Sequence, residues 1–327
     1  MALCPLLLVT SASAEVTSST PVTGATQTES ASGETTPAST PTTTSPIASV
    51  KKDEARSTTY HLSYTHIYNS NVRREDQRQG VNASVFGLGV RYIYPKAHPT
   101  LEVSYEVGRH LYPQVAKDRD RVSHNIRVAL SRQLSERWSF EAVGTISLKG
   151  STEDDDINNQ YALSPRLEYR LNRENRLKFI GTYRIRSVEA DEEQDAINDS
   201  FAVEYEHRMN SDRKVTIGSR YETNNAKGPR NDYRRWTHYL EFDTPVGGSD
   251  DLVLGVRYRP RKFDTRRVDE INELRRDRNW IFGAAWKHKL RKDLDFTIDY
   301  QFENRSSNAP DRHFDQHILA TSLFFGF

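Results

Sequence analysis

Residues 317–327 read HILATSLFFGF, with Leu319, Thr321, Leu323, Phe325 and Phe327 at alternate positions. A period of two marks a strand whose two faces meet different surroundings. If this strand is one stave of a larger sheet, the same alternation should recur upstream. It does: from Thr58 onward, runs of apolar and polar residues alternate over eight to twelve positions, at a spacing of about 18 to 20 residues. Tyr60, Leu62 and Tyr64 open the series, followed by Phe86, Leu88, Val90, Tyr92 and Tyr94, and by Leu101, Val103, Tyr105 and Val107. Later examples are cleaner still, such as Leu177, Phe179, Tyr183 and Ile185 against Lys178, Thr182, Arg184 and Arg186. About fourteen such strands fit the chain.

The connectors decide between two packed sheets and a closed cylinder. They alternate long and short: NSNVRREDQRQG then PKAHP, RHLYPQVAKDRD then QLSER, KGSTEDDDINNQ then NRENR, and so on to KFDTRRVDEINELRRDR then LRKD. A sandwich has no reason to alternate its loop lengths in this way, whereas bacterial barrels carry long outer loops and short periplasmic turns. Aromatics gather at the expected strand ends. Tyr60, Tyr92, Tyr94, Trp138, Trp286, Phe325 and Phe327 lie toward the short turns, and Tyr64, Tyr105, Tyr161, Trp236, Trp280 and Tyr300 lie toward the long loops. Pro165 and Pro260 each remove a ladder hydrogen bond and are expected at a bulge or a strand end.

The terminal aromatic, preceded by apolar residues at every second position, resembles the C-terminal insertion signal of Gram-negative outer-membrane β-barrels. The resemblance implies an all-β, antiparallel up-and-down transmembrane barrel over residues 51–327 in the bacterial outer membrane. It also implies that Leu319, Thr321, Leu323, Phe325 and Phe327 are read by the barrel assembly machinery during insertion. The strand number and an ionic interior resemble the monomeric fourteen-stranded porins. They depart from the fatty-acid transporters, which need an apolar route and an N-terminal hatch. The assembly modifiers of surface lipoproteins also have a fourteen-stranded barrel, but theirs follows a helical repeat domain that this chain lacks. No family-specific residue set carries over.

Mean hydropathy is -0.77, and no run approaches the roughly 20 apolar residues of a membrane-spanning helix. A barrel escapes that test because its lipid-facing and lumen-facing residues alternate. Lys plus Arg is 46 against 45 for Asp plus Glu, which gives no nucleic-acid footprint. Residues 1–14 carry a short apolar stretch ending in Ala12-Ser13-Ala14 and read as a signal peptide, although the usual basic start is missing. The only cysteine, Cys4, lies within them; Leu3 is too large for the usual lipoprotein cleavage site. Residues 15–50 are built from Ser, Thr, Pro, Ala and Gly with no aromatic, and read as a disordered periplasmic tether. The alternative is that they plug the lumen or bind a periplasmic partner.

With strands about 4.8 Å apart and tilted near 40°, fourteen would close at a backbone diameter of roughly 28 Å and leave a gap of about 10 to 15 Å. The predicted inner face carries Glu102, Glu106, Arg166, Glu168, Arg170, Arg184, Arg186, Glu204, Glu206, Arg220 and Glu222. It continues with Glu241, Asp243, Arg257, Arg259, Arg261, Lys287, Lys289, Asp293, Asp295, Asp299 and Glu303. Charges at this density must be hydrated or paired. Two arrangements follow: basic and acidic walls facing each other across a pore, or rows pairing across neighbouring strands and stiffening the wall.

Catalysis needs His beside Asp or Ser at an outer rim. His124, His238 and His288 fall on the lipid side of this register, and no metal-ligand spacing appears. The sequence therefore points to a non-enzymatic channel for passive diffusion of small hydrophilic solutes, embedded in outer-membrane lipid, with no cofactor. A barrel that translocates protein or polysaccharide with a periplasmic partner is the alternative.

Overall fold

In a computed structural model, the chain is described over residues 57–70, 80–94, 99–112, 121–151, 158–188, 192–209, 213–268 and 271–327. The expected signal peptide and tether, residues 1–50, lie outside these. Fourteen antiparallel strands form one closed barrel in which each pairs with its sequence neighbours and the last pairs with the first. They are β1 (Ser57–Asn69), β2 (Val81–Tyr94), β3 (Thr100–Leu111), β4 (Arg121–Gln133), β5 (Trp138–Ser151), β6 (Asn158–Arg170) and β7 (Asn175–Val188). The second half comprises β8 (Ala196–Arg208), β9 (Lys214–Ala226), β10 (Tyr233–Pro245), β11 (Asp250–Val268), β12 (Glu273–Arg291), β13 (Leu294–Ser307) and β14 (Phe314–Gly326).

Closure joins the two ends of the barrel sequence. The Tyr60 N–H donates to the Phe327 carbonyl and the Phe327 N–H donates to the Tyr60 carbonyl, both at 2.9 Å. On the inner face of this seam Thr65 and Ser322 hydroxyls lie 2.9 Å apart, and His61 stacks on Phe324. Closure leaves no strand edge unpaired, which removes the usual aggregation liability of a sheet.

The alternation places large apolar side chains outside. Leu62, Phe86, Leu88, Leu163, Phe201 and Ile217 are each about half exposed, as a lipid-facing belt requires. Leu319, Leu323 and Phe327 belong to the same outward face of β14.

Three expectations change. First, the charged stretch 262–278 read as a long loop is largely strand: β11 runs on to Val268 and β12 begins at Glu273, with the two paired up to Lys262–Arg276 and again at Arg267–Leu274 and Val268–Glu273. Their charges alternate inward and outward, and the inward ones find partners across the ladder, so polarity alone misled. Second, Pro165 and Pro260 sit mid-strand with no register shift beside them. Each keeps its place on one neighbouring ladder, Pro165 opposite Ala142 and Pro260 opposite Arg278, while the pairing on the other side skips it. Inside the gap beside Pro165, the Ser164 and Thr182 hydroxyls meet at 3.1 Å and bridge β6 to β7. The real irregularity lies between Lys262 and Arg267 of β11. Third, Asp293 is in the turn before β13, where it meets Arg291 at 3.4 Å instead of lying on an inner strand face.

Candidate functional site

The face opposite the apolar belt is ionic, and its charges are mostly bridged across neighbouring strands. On β2 to β6 a chain runs from Arg91 to Glu102 (2.7 Å), Glu102 to Arg127 (2.7 Å), Arg127 to Glu141 (3.5 Å) and Glu141 to Arg166 (3.4 Å). Glu206 of β8 receives Lys178 at 2.7 Å and Arg208 at 2.9 Å, and Arg176 donates to Glu168 at 2.9 Å. Lys214 meets Asp243, and Lys287 meets Asp295, each at 2.9 Å. Tyr239 donates to Glu204 from directly opposite Gly218, whose missing side chain leaves room for the ring.

Burial divides this face in two. On β2 to β4, toward the short turns and at mid-barrel, the bridges are wet: Arg91, Glu102 and Arg127 are 22–32% exposed although they lie inside a closed wall, whereas Arg176, Lys178, Glu206, Lys287 and Asp295, also near short turns, are only 4–14% exposed. Toward the long loops the face is dry. Glu222 takes both oxygens' bonds from Arg235 (2.8 and 2.9 Å) plus the Tyr233 hydroxyl (3.0 Å), and all three side chains are buried. Asp277 accepts from Arg261, Arg275 and Ser307. Phe263, fully buried, lies under the guanidinium groups of Arg261 and Arg275 at 4.8 Å each. Beside the closing seam an apolar cluster of Ile67, Val81, Ala83, Tyr112, Ile318 and Ala320 fills the inner face, next to the bonded amides of Asn69 and Gln316. The inner face is therefore packed over most of the wall and hydrated mainly along β2 to β4.

The outer rim is tied down by two short 3-10 turns, Glu192–Gln194 and Pro229–Asn231. The Gly228 N–H donates to the Glu193 carbonyl at 3.0 Å, and the Lys227 N–H to the Asp195 carbonyl at 2.8 Å. The Lys227 ammonium meets the Asp195 carboxylate at 2.7 Å, and Arg186 reaches up from β7 to the Gln194 carbonyl. Burial works against the Asp195 charge, but hydrogen bonds from Lys227 and the Val188 N–H, with the Lys227 charge, hold its pKa below the ordinary carboxylate range. The hydrogen bond to Asp195 holds Lys227 above the ordinary lysine range.

Of the residues named from sequence, Arg166, Arg186, Glu206, Glu222, Arg259, Arg261, Asp295 and Glu303 are buried on the ionic face. Glu102, Glu106, Glu168, Arg184, Glu204, Arg220, Glu241, Asp243, Arg257, Lys287 and Asp299 are partly exposed there, while Arg170 and Lys289 stand exposed near the short-turn rim. Among the described residues Arg184, Arg220 and Arg257 have no hydrogen bond or ion pair, and the same holds for Glu106, Glu241 and Asp299. Sequence reasoning missed Arg235, Arg275, Asp277 and Arg305, which stood in stretches taken for loops. Their odd-numbered spacing, continuous with Arg257, Arg259 and Arg261 or with Glu303, was the available signal. Bridging across adjacent strands replaces opposed charged walls as the main use of these charges.

No family model and no curated protein matches the chain. Among solved structures it resembles a loop-deletion mutant of OmpT, an outer membrane protein of Vibrio cholerae, with a TM-score of 0.51 and 10% identity over 84% of this chain and 100% of that one. It also resembles an anion-selective porin from Comamonas acidovorans, with a TM-score of 0.50 and 10% identity over 84% and 99%. At that identity the likeness concerns the fold, which is that of outer-membrane barrels. The chain has the fold of the outer-membrane β-barrels. In that fold a belt such as the half-exposed Leu, Ile and Phe here faces lipid, and short turns and long loops lie at opposite ends of the cylinder.

Proposed function

We propose that this barrel is a passive, porin-like channel for small hydrophilic solutes. The observation that carries the reading is the partial exposure of Arg91, Glu102 and Arg127 on the inner face of a closed wall. Water that reaches these groups occupies the lumen, and charged side chains that are bridged along the wall leave the axis free for a hydrated solute. The packed stretches around Glu222, Asp277 and Phe263 set the size limit. Arg184, Arg220 and Arg257, with Glu241 and Asp299, are the charges left over to act on a passing solute. Purified, folded protein in a planar lipid bilayer gives discrete conductance steps on this reading. A folded barrel that inserts without any step would retire it.

A further inference from the structure

The outward face of β10–β12 carries a feature that passage through the lumen does not use. Arg234, Lys262 and Arg276 stand directly opposite one another across three neighbouring strands, and Arg278 lies one row nearer the membrane, opposite Pro260. All four are exposed. Arg234 has one counter-charge, Asp264 at 3.4 Å. Lys262, Arg276 and Arg278 have no side-chain partner among the described residues. Like charges directly opposite one another destabilise a sheet, a cost that among the described residues only Asp264 beside Arg234 relieves.

Its height is fixed by the rows beneath it. Below Arg234 along β10 come Trp236, His238, Leu240 and Phe242, and below Lys262 along β11 come Tyr258, Val256 and Leu254, with Trp280 and Phe282 on β12. Trp236 packs on Tyr221 and Tyr258 packs on Trp280, forming the outer aromatic girdle. Between Arg234 and Thr244 the strand climbs about 25 Å along the membrane normal, the height of an outer-membrane apolar band. The cations therefore stand just above the girdle, at the headgroup level of the outer leaflet. Cations deep in the apolar band are strongly destabilising, whereas near the interface they cost little. The neighbouring strands lack such a row: at the same end β13 and β14 pair Asn304 with Asp315, and β8 and β9 pair Asp199 with Thr223.

We propose that Arg234, Lys262, Arg276 and Arg278 form a binding site for a phosphorylated lipid headgroup of the outer leaflet. Arginine and lysine side chains pair strongly with phosphate oxygens, and clustered cations beside a membrane recognise anionic headgroups. Trp236 and Trp280 flank the acyl chains below. The folded full chain in detergent micelles, titrated with diphosphoryl lipid A, monophosphoryl lipid A and inorganic phosphate, tests this. Retained lipid is counted by native mass spectrometry. Wild type binds the diphosphoryl form at least tenfold more tightly than a Lys262→Gln/Arg276→Gln/Arg278→Gln variant, less tightly in high salt, and more tightly than the monophosphoryl form. A Lys262→Arg/Arg276→Lys/Arg278→Lys variant keeps the binding, and the heat-modifiable gel shift shows that both variants fold. The proposal is overturned if the neutral variant binds within twofold of wild type. It is overturned equally if inorganic phosphate binds as tightly as the lipid, which would make the site a generic phosphate site.

Discussion

Arg261 of β11 donates to the Asp277 carboxylate of β12 across the ladder at 2.7 Å, with both side chains buried. Asp277 also serves Arg275 at 3.0 Å and the Ser307 hydroxyl at 2.8 Å, so one carboxylate compensates two buried guanidinium groups. Breaking a buried bridge by removing one partner leaves the other charge uncompensated, at about 3–5 kcal/mol. Asp277→Asn should therefore lower the denaturant midpoint of the detergent-folded barrel by an amount of that order. Asp251→Asn, an exposed strand-end change, should lower it by less than about 1 kcal/mol. Equal midpoints for the two variants would show that the outer half of the wall does not depend on this carboxylate.

The Asp195–Lys227 latch joins the two 3-10 turns at the rim and predicts a pH window. Because the folded-state pKa of Asp195 is depressed, its contribution is complete above the unfolded carboxylate value near about pH 4, and is lost as pH falls through the folded value. Lys227 is raised, so its share is complete below about pH 10.4 and is lost as pH climbs through its folded value. Hydrogen exchange at the Lys227 and Gly228 amides, which bond to the Asp195 and Glu193 carbonyls, should report flat protection from about pH 5 to 9 and a loss on the acid side. In Asp195→Asn the acid-side loss should vanish because protection is already low at neutral pH. Undiminished protection in that variant would mean that the backbone bonds alone hold the rim.

Most of the barrel could be read from residue order because a membrane wall enforces strict alternation. Lipid on one side and water or paired charge on the other leave each strand position only two choices. The reading failed where that constraint weakens. Above the girdle both faces of β11 and β12 are charged, as at Arg261, Lys262, Arg275 and Arg276, so hydropathy no longer separates strand from loop. The bridges were legible only as a density of charge, since whether Arg235 meets Glu222 depends on register, and register is set by turn geometry that residue type does not encode. The prolines failed for a related reason: Pro165 and Pro260 are tolerated mid-strand because the ladder skips them on one side.

If the lumen conducts, Arg184, Arg220 and Arg257, which have no hydrogen bond or ion pair among the described residues, should make its selectivity directional. Arg220 and Arg257 are partly exposed on the inner face. Neutralising both to Gln removes two positive charges from the lumen while leaving Glu241 and Asp299 in place. In a salt gradient the reversal potential should move in the cation-favouring direction, whatever the starting preference, by several millivolts or more. No shift in a conducting double variant would place the solute path elsewhere on the wall.

Phe327 offers a way to separate a structural role from an insertion signal. Its ring stacks on Tyr60 with centroids 5.9 Å apart and remains 59% exposed, while its backbone makes both closing hydrogen bonds to Tyr60. Phe327→Ser keeps those backbone bonds and removes only the ring, so the direct loss of stability should be about 0.5–1.5 kcal/mol. Refolding into preformed lipid vesicles, where no assembly machinery is present, should then proceed to nearly the wild-type yield. If the terminal alternation is read by that machinery, insertion in cells should fall several-fold more than the vesicle yield. Parallel decreases in the two assays would reduce Phe327 to a strand-closing residue and leave the recognition of β14 without support.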